Sequence, residues 1–156
     1  MLAGVLAQQS QSFTISIDAS VVEATQLFGP VRETEWNPGW RPAILHPEGG
    51  AQRPGVVFTQ GASDHSQLWT LTDYDEQAGR VAYVIVEPGL MISEIQIRVS
   101  ANGPGRSRAM VMERRSALSE SANQLVSVLT APWAVNQRQH WEAAINGAVQ
   151  RARQRD

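Results

Sequence analysis

Phe13, Ile15 and Ile17 alternate with Thr14, Ser16 and Asp18, and this period of two predicts a half-buried strand. Ser20 and Glu23 follow with capping-box spacing. They predict a helix carrying Val21, Val22, Ala24, Leu27 and Phe28 that stops at Gly29-Pro30, with a second short helical turn from Val31 to about Glu35. Further strands are expected at Val56–Phe58, Gln67–Thr72 with Trp69 and Leu71 on one face, Val81–Val86, around Ile95, Ile97 and Val99, and at Ala109–Arg115. Val81–Val86 is apolar on both faces, as a strand covered on both sides would be. Turn compositions separate these segments: Gly61–His65, Asp73–Gly79, Glu87-Pro88-Gly89 and Asn102–Gly105, with residues 46–55 as a longer loop. Short turns between successive strands favour an antiparallel sheet.

The C-terminal stretch changes period. Pro132 suits the first turn of a helix and would break an interior, so a short helix is expected before it and a long one after, running roughly 30 Å to about Arg153. Stepping about 100° per residue places Trp133, Trp141, Ala144, Ile145, Ala148, Val149 and Ala152 on one arc. Gln139, Glu142, Asn146 and Gln150 fall opposite. This is an amphipathic helix to be packed on a sheet, and its Trp-rich end can also line a cavity.

A segment between the early helices and the sheet is unusual. Glu33-Thr-Glu-Trp36-Asn-Pro-Gly-Trp40 joins a Pro-Gly turn to two indoles, which must pack in the core or rim a pocket rather than stay in water. Residues 1–12 read as a flexible tail, leaving a single domain over 13–153.

Composition narrows the function classes. The 156 residues contain no Cys, which excludes disulfides, thiolate metal sites and Cys nucleophiles. All 13 basic residues are Arg, and the net charge of −2 gives no general attraction to nucleic acid or anionic membrane. No run is long enough to cross a bilayer, and Met1–Ala7 lacks the basic and apolar regions of a secretory signal, so a cytoplasmic protein without membrane insertion is expected. His46, His65 and His140 show no metal-ligand spacing, and no nucleophile elbow or phosphate-cradling glycine loop is present; neither metal nor cofactor is expected. Arg106, Arg108, Arg114 and Arg115 read as a solvated strand edge rather than a nucleic-acid surface.

The order of elements, the Glu35-Trp36-Asn-Pro-Gly-Trp40 loop, Pro54-Gly55-Val-Val-Phe58, Leu68-Trp69 leading to Asp73-Tyr74-Asp75, and Ala117-Leu118-Ser119-Glu120 resemble the SRPBCC superfamily. These START-like, helix-grip proteins include plant pollen allergens, lipid-transfer domains, polyketide cyclases and heat-shock ATPase activators. The resemblance implies an α+β helix-grip fold: a curved seven-stranded antiparallel sheet wrapped around a long C-terminal helix, two short helices after strand one, and an interior cavity for a hydrophobic ligand. The superfamily shares no single catalytic constellation, so only lining positions follow: Trp36 and Trp40 from the loop, Trp69, Tyr83, Ile95, Ile97, Val111 and Glu113 from the inner sheet face, and Trp133, His140 and Trp141 from the helix.

Among these, Glu113 and His140 are the candidates for acid–base chemistry. Glu113 shares a strand face with Ala109 and Val111; if that face is inner, low dielectric raises its pKa, and Arg115 two residues on can pair with it. The other register puts Met110, Met112 and Arg114 inside. Tyr83 and His140 can hydrogen-bond a ligand carbonyl. The expected function is binding of a small hydrophobic molecule by a monomer or homodimer. The alternatives are a polyketide cyclase- or dehydratase-like enzyme using the same cavity, and a protein-interaction module of the heat-shock ATPase activator type.

Overall fold

A computed structural model describes residues 4–48, 52–61 and 67–156. Seven strands form one antiparallel sheet in the order β1-β7-β6-β5-β4-β3-β2. They are β1 (Gln8–Ile17), β2 (Ala43–His46), β3 (Val57–Gln60), β4 (Gln67–Asp75), β5 (Arg80–Glu87), β6 (Met91–Ala101) and β7 (Ser107–Ala117). Helix α1 (Val21–Leu27) and a 3-10 turn (Arg32–Glu35) follow β1; α2 (Asn123–Ser127) and the 23-residue α3 (Ala131–Arg153) follow β7. The sheet wraps around α3, which gives the helix-grip fold.

Alternation decides which face is inside. Phe13, Ile15 and Ile17 are buried on β1, Trp69 and Leu71 on β4, Val81, Tyr83 and Ile85 on β5, Ile95, Ile97 and Val99 on β6, and Ala109 and Val111 on β7. The register of β7 is thereby settled: Ala109, Val111 and Glu113 point inward and Met110 is exposed on the outside. Strand β5 departs from expectation. Ala82, Val84 and Val86 are only half-buried, because the outer face of the sheet carries no covering layer there.

Three boundaries also differ from the sequence reading. Residues 8–12 belong to β1, where they pair with β7 from Gln8↔Ser116 to Ser12↔Met112, and are no flexible tail. Asn123 holds the residues just before them, accepting the Ala7 N–H at 2.8 Å and donating to the Val5 carbonyl at 3.0 Å. Strand β4 runs on to Asp75 through a bulge between Leu71 and Asp73, which bends the strand. Strand β2 was not anticipated, and His46 ends it instead of opening a loop. His65, most of the Gly61–His65 turn, and Gly49-Gly50 lie outside the described residues.

Both long-range helices start where their caps dictate. The Ser20 hydroxyl accepts the Glu23 N–H at 3.3 Å, and the Thr130 hydroxyl accepts the Trp133 N–H at 3.3 Å with Pro132 in the first turn of α3. Helix α3 buries Ala134, Ile145, Ala148 and Val149, and its main backbone approach is to β1. Glu142 and Asn146 do not face solvent on the opposite side. The Glu142 carboxylate accepts the Ser16 N–H at 2.9 Å, while Asn146 accepts the Asp18 N–H and donates to the Ser16 carbonyl, each at 2.9 Å. Polar side chains of α3 thus satisfy the backbone groups that β1, a sheet edge, would otherwise leave unpaired.

Candidate functional site

Helix α3 stands off from the middle of the sheet, and aromatic rings occupy the gap. One cluster joins Trp40, Phe58, Trp69 and Tyr83: Trp69 stacks on Phe58 at 5.6 Å and meets Trp40 and Tyr83 edge-on at 5.1 and 5.4 Å. The other is built on Trp141 of α3, which meets Phe13 at 5.4 Å, Trp36 at 5.2 Å and Phe28 at 6.2 Å. Edge-to-face pairs of this kind each contribute about 1 kcal/mol beyond the area they bury.

The polar tips of these rings fix the segment between α1 and the 3-10 turn. The Trp36 Nε1–H donates to the Leu27 carbonyl at 2.6 Å, the Tyr83 hydroxyl to the Phe28 carbonyl at 2.7 Å, and the Trp40 Nε1–H to the Pro30 carbonyl at 2.7 Å. The question of whether the two loop indoles pack or rim a pocket therefore divides between them. Both are buried; Trp40 lines the cavity, and Trp36 stands behind Phe28 and Trp141.

The cavity has a volume of about 300 Å³. The sheet supplies Trp69, Tyr83, Ile95, Ile97, Val111 and Glu113; α3 supplies Trp133, Gln137 and Trp141; the loop supplies Glu33, Asn37 and Trp40. Every expected lining residue is present except Trp36 and His140. His140 is exposed on α3 with its Nδ1 on the Asn136 carbonyl at 2.9 Å, on the solvent side of the helix, and it has no place in cavity chemistry. Tyr83 does line the cavity, but its proton is engaged by Phe28, so its oxygen can only accept from a ligand.

Three ionisable groups face this hollow. Glu113 is held by Arg115 at 3.4 Å, long for a charge-assisted contact. Burial raises the Glu113 pKa, and Arg115 opposes that rise without cancelling it. The guanidinium is shared with two other neighbours: it donates to the Leu125 carbonyl at 3.0 Å and lies 5.7 Å over the Trp133 ring. Arg115 is thus an interior residue, unlike Arg114, which pairs across the outer face with Glu94 at 2.6 Å, and Arg108, which is exposed.

The third group, Glu33, was not anticipated. It is only 8% exposed. Its Oε1 accepts the Asn37 Nδ2–H at 3.0 Å, and no cation approaches it among the described residues. Burial pushes its pKa up to about 8, with the Asn37 hydrogen bond pulling the other way. A signal was available in the sequence. Glu33 and Asn37 are four residues apart in the segment that two indoles drag inward, so an acid there shares their burial.

Among the described residues, no group of His, Cys, Asp or Glu side chains could hold a metal ion, and no helix is long and apolar enough to cross a membrane.

An open antiparallel sheet gripping one long helix over an aromatic cavity defines a helix-grip protein. Solved structures of that fold are similar along nearly the whole chain. Norcoclaurine synthase from Thalictrum flavum, in complex with dopamine and hydroxybenzaldehyde, matches with a TM-score of 0.66 at 13% identity, over 97% of this chain and 95% of that one. Ara h 8.0201 matches with a TM-score of 0.62 at 18% identity, over 92% and 99%. A hypothetical protein from Helicobacter pylori matches with a TM-score of 0.65 at 13% identity, over 90% and 86%. At these identities the likeness is one of fold. No protein-family model and no curated protein matches the chain.

Proposed function

We propose that this protein binds a small hydrophobic molecule in the cavity between the sheet and α3. The observation that carries the reading is the cavity itself: about 300 Å³, walled by indole, phenyl and branched aliphatic groups, with Glu33, Glu113, Arg115 and the side-chain amides of Asn37, Gln60, Gln67 and Gln137 set among them. That is the make-up of a small-molecule pocket, in which apolar contact supplies affinity at about 25 cal/mol per Å² buried and isolated polar groups set orientation. The similar structure of norcoclaurine synthase with two small aromatic molecules supports it. Titration of intrinsic fluorescence with apolar aromatic probes tests it, since Trp40, Trp69, Trp133 and Trp141 all line the hollow. Saturable quenching that disappears when Val111 is replaced by Trp, which fills the space, is the expected result. Unchanged emission across the probe panel, with no ligand mass retained in native mass spectrometry, would overturn it.

One observation favours an enzymatic use of the same cavity, of the polyketide cyclase or dehydratase kind. Glu113 is a carboxyl on the cavity wall whose pKa burial raises, a shift in the direction that favours general acid–base work. On that reading Glu113→Gln abolishes turnover while ligand affinity stays within a few-fold; equal loss of both assigns Glu113 to binding alone.

A further inference from the structure

We propose that the cavity selects a neutral aromatic molecule bearing a carbonyl oxygen, which the Glu33 side chain holds by donating a carboxylic-acid hydrogen bond. This rests on the cavity-binding reading above and names the ligand class.

The geometry at Glu33 motivates it. The residue sits on the 3-10 turn Arg32–Glu35, whose backbone is anchored from behind: the Glu33 N–H donates to the Gly29 carbonyl at 3.1 Å, and its own carbonyl accepts the Asn37 N–H at 2.9 Å. Only one carboxyl oxygen has a protein partner among the described residues, the Asn37 amide on Oε1. Oε2 is left to the cavity that the side chain lines. A carboxyl that is more than nine-tenths buried with no cation beside it is neutral, because charging it away from water costs more than protonating it. With Oε1 accepting from Asn37, the proton belongs on Oε2. The cavity wall therefore presents one O–H donor, beside the side-chain amides of Gln67 and Gln137, and the ligand atom that fits Glu33 is an acceptor.

The other polar groups narrow the choice. Gln60 uses both ends of its amide, on the Arg41 N–H and the Gly39 carbonyl. The Tyr83 proton is on Phe28. Arg115, the one cation on the wall, is divided between Glu113, Leu125 and the Trp133 face. An anionic ligand meets two carboxyls and a single cation already paired with one of them. A purely hydrocarbon ligand leaves the Glu33 donor unpaired, at a cost comparable to one buried hydrogen bond. A neutral carbonyl compound satisfies the donor and stacks against the rings.

Burial and the Asn37 hydrogen bond set the protonation of Glu33; the other titratable groups on the same cavity are Tyr83 from β5, and Glu113 and Arg115 from β7. Arg32 and Glu35 on its own turn pair with each other at 2.7 Å on the outer side, where Arg151 of α3 reaches the Glu35 carbonyl.

The test is isothermal titration of four probes with one skeleton: acetylnaphthalene, ethylnaphthalene, naphthylethylamine and naphthoate, at about pH 6 and about pH 9.5, on either side of the Glu33 titration. At the lower pH the ketone is expected to bind roughly five- to tenfold tighter than the hydrocarbon, the worth of one hydrogen bond, with naphthoate weakest. At the higher pH that preference disappears. Glu33→Gln, whose amide is a permanent donor, keeps the preference at both pH values; Glu33→Leu loses it at both. Equal affinity of wild type for ketone and hydrocarbon at the lower pH, or tightest binding of the amine, overturns the inference while leaving cavity binding intact. Failure of all four probes to bind overturns the cavity reading and this inference together.

Discussion

The Tyr83 hydroxyl, on the central strand β5, donates to the carbonyl of Phe28, just past the end of α1, at 2.7 Å. The floor of the cavity is thereby tied to the segment that delivers Glu33 to its wall. Both partners are buried, so Tyr83→Phe keeps the ring and strands a carbonyl without water. The expected cost is about 1–3 kcal/mol in urea unfolding. A loss below a few tenths would mean that the segment is held by Trp36 and Trp40 alone.

Glu33 makes stability depend on pH. Its folded pKa, about 8, lies above the ordinary 4.5, so between those values the folded state binds a proton that the unfolded chain has released. Stability from this group is complete below about pH 4.5, declines as pH rises, and is lost once pH passes about 8. Glu113, also raised, acts in the same direction, whereas Glu35, lowered by Arg32, acts in the opposite one. Comparing wild type with Glu33→Gln isolates the contribution. The variant should gain relative stability through that window, reaching the order of a few kcal/mol at alkaline pH. Parallel stability curves for the two proteins would show that Glu33 is ionised in the folded state.

At the β1 edge, Asn146→Ala removes an acceptor for the Asp18 N–H and a donor to the Ser16 carbonyl. The expected loss is about 1–2 kcal/mol, since water can reach this half-exposed edge. Hydrogen exchange should accelerate at Asp18, while the Ser16 amide keeps its protection through Glu142. Uniform acceleration along β1 would point to loss of helix docking instead.

Gly79 closes the turn between β4 and β5 at φ +74°, and a Cβ there would lie 2.1 Å from the Val99 carbonyl oxygen. The two backbones are held in contact there, since the Val99 N–H donates to the Gly79 carbonyl at 2.7 Å. Gly79→Ala should cost more than the roughly 1 kcal/mol of the left-handed backbone alone, because the strand must also shift. A melting temperature equal to wild type would contradict the close approach.

Much of this molecule was legible in its sequence because alternation and helical spacing report faces. Phe13/Ile15/Ile17 and Ile95/Ile97/Val99 marked inward rows, and those rows led to most of the cavity wall. Where the face was ambiguous, as on β7, the structure decided in favour of Val111 and Glu113. His140 was misplaced for a related reason: it lay at the margin of the apolar arc, and a few degrees of helix rotation separate wall from solvent. Glu142 and Asn146 were read as solvent-facing because a helical wheel shows angle and says nothing of a strand edge running alongside. Strand β2 has no alternation to read, with Ala43, Leu45 and His46 all exposed. Glu33 is buried by its neighbours' indoles, an effect of tertiary packing that no local period records.

The two margins of the sheet are treated differently. On the β1 side Glu142 and Asn146 take up the Ser16 and Asp18 backbone groups at the end of the strand, whereas β2 ends the ladder with a strand on one side only. Should two copies join strand to strand along β2, each would carry on its outer margin a β1 whose last rungs are already taken by the helix. The same side chains that seat the helix therefore also withhold that stretch of the margin from a neighbouring strand.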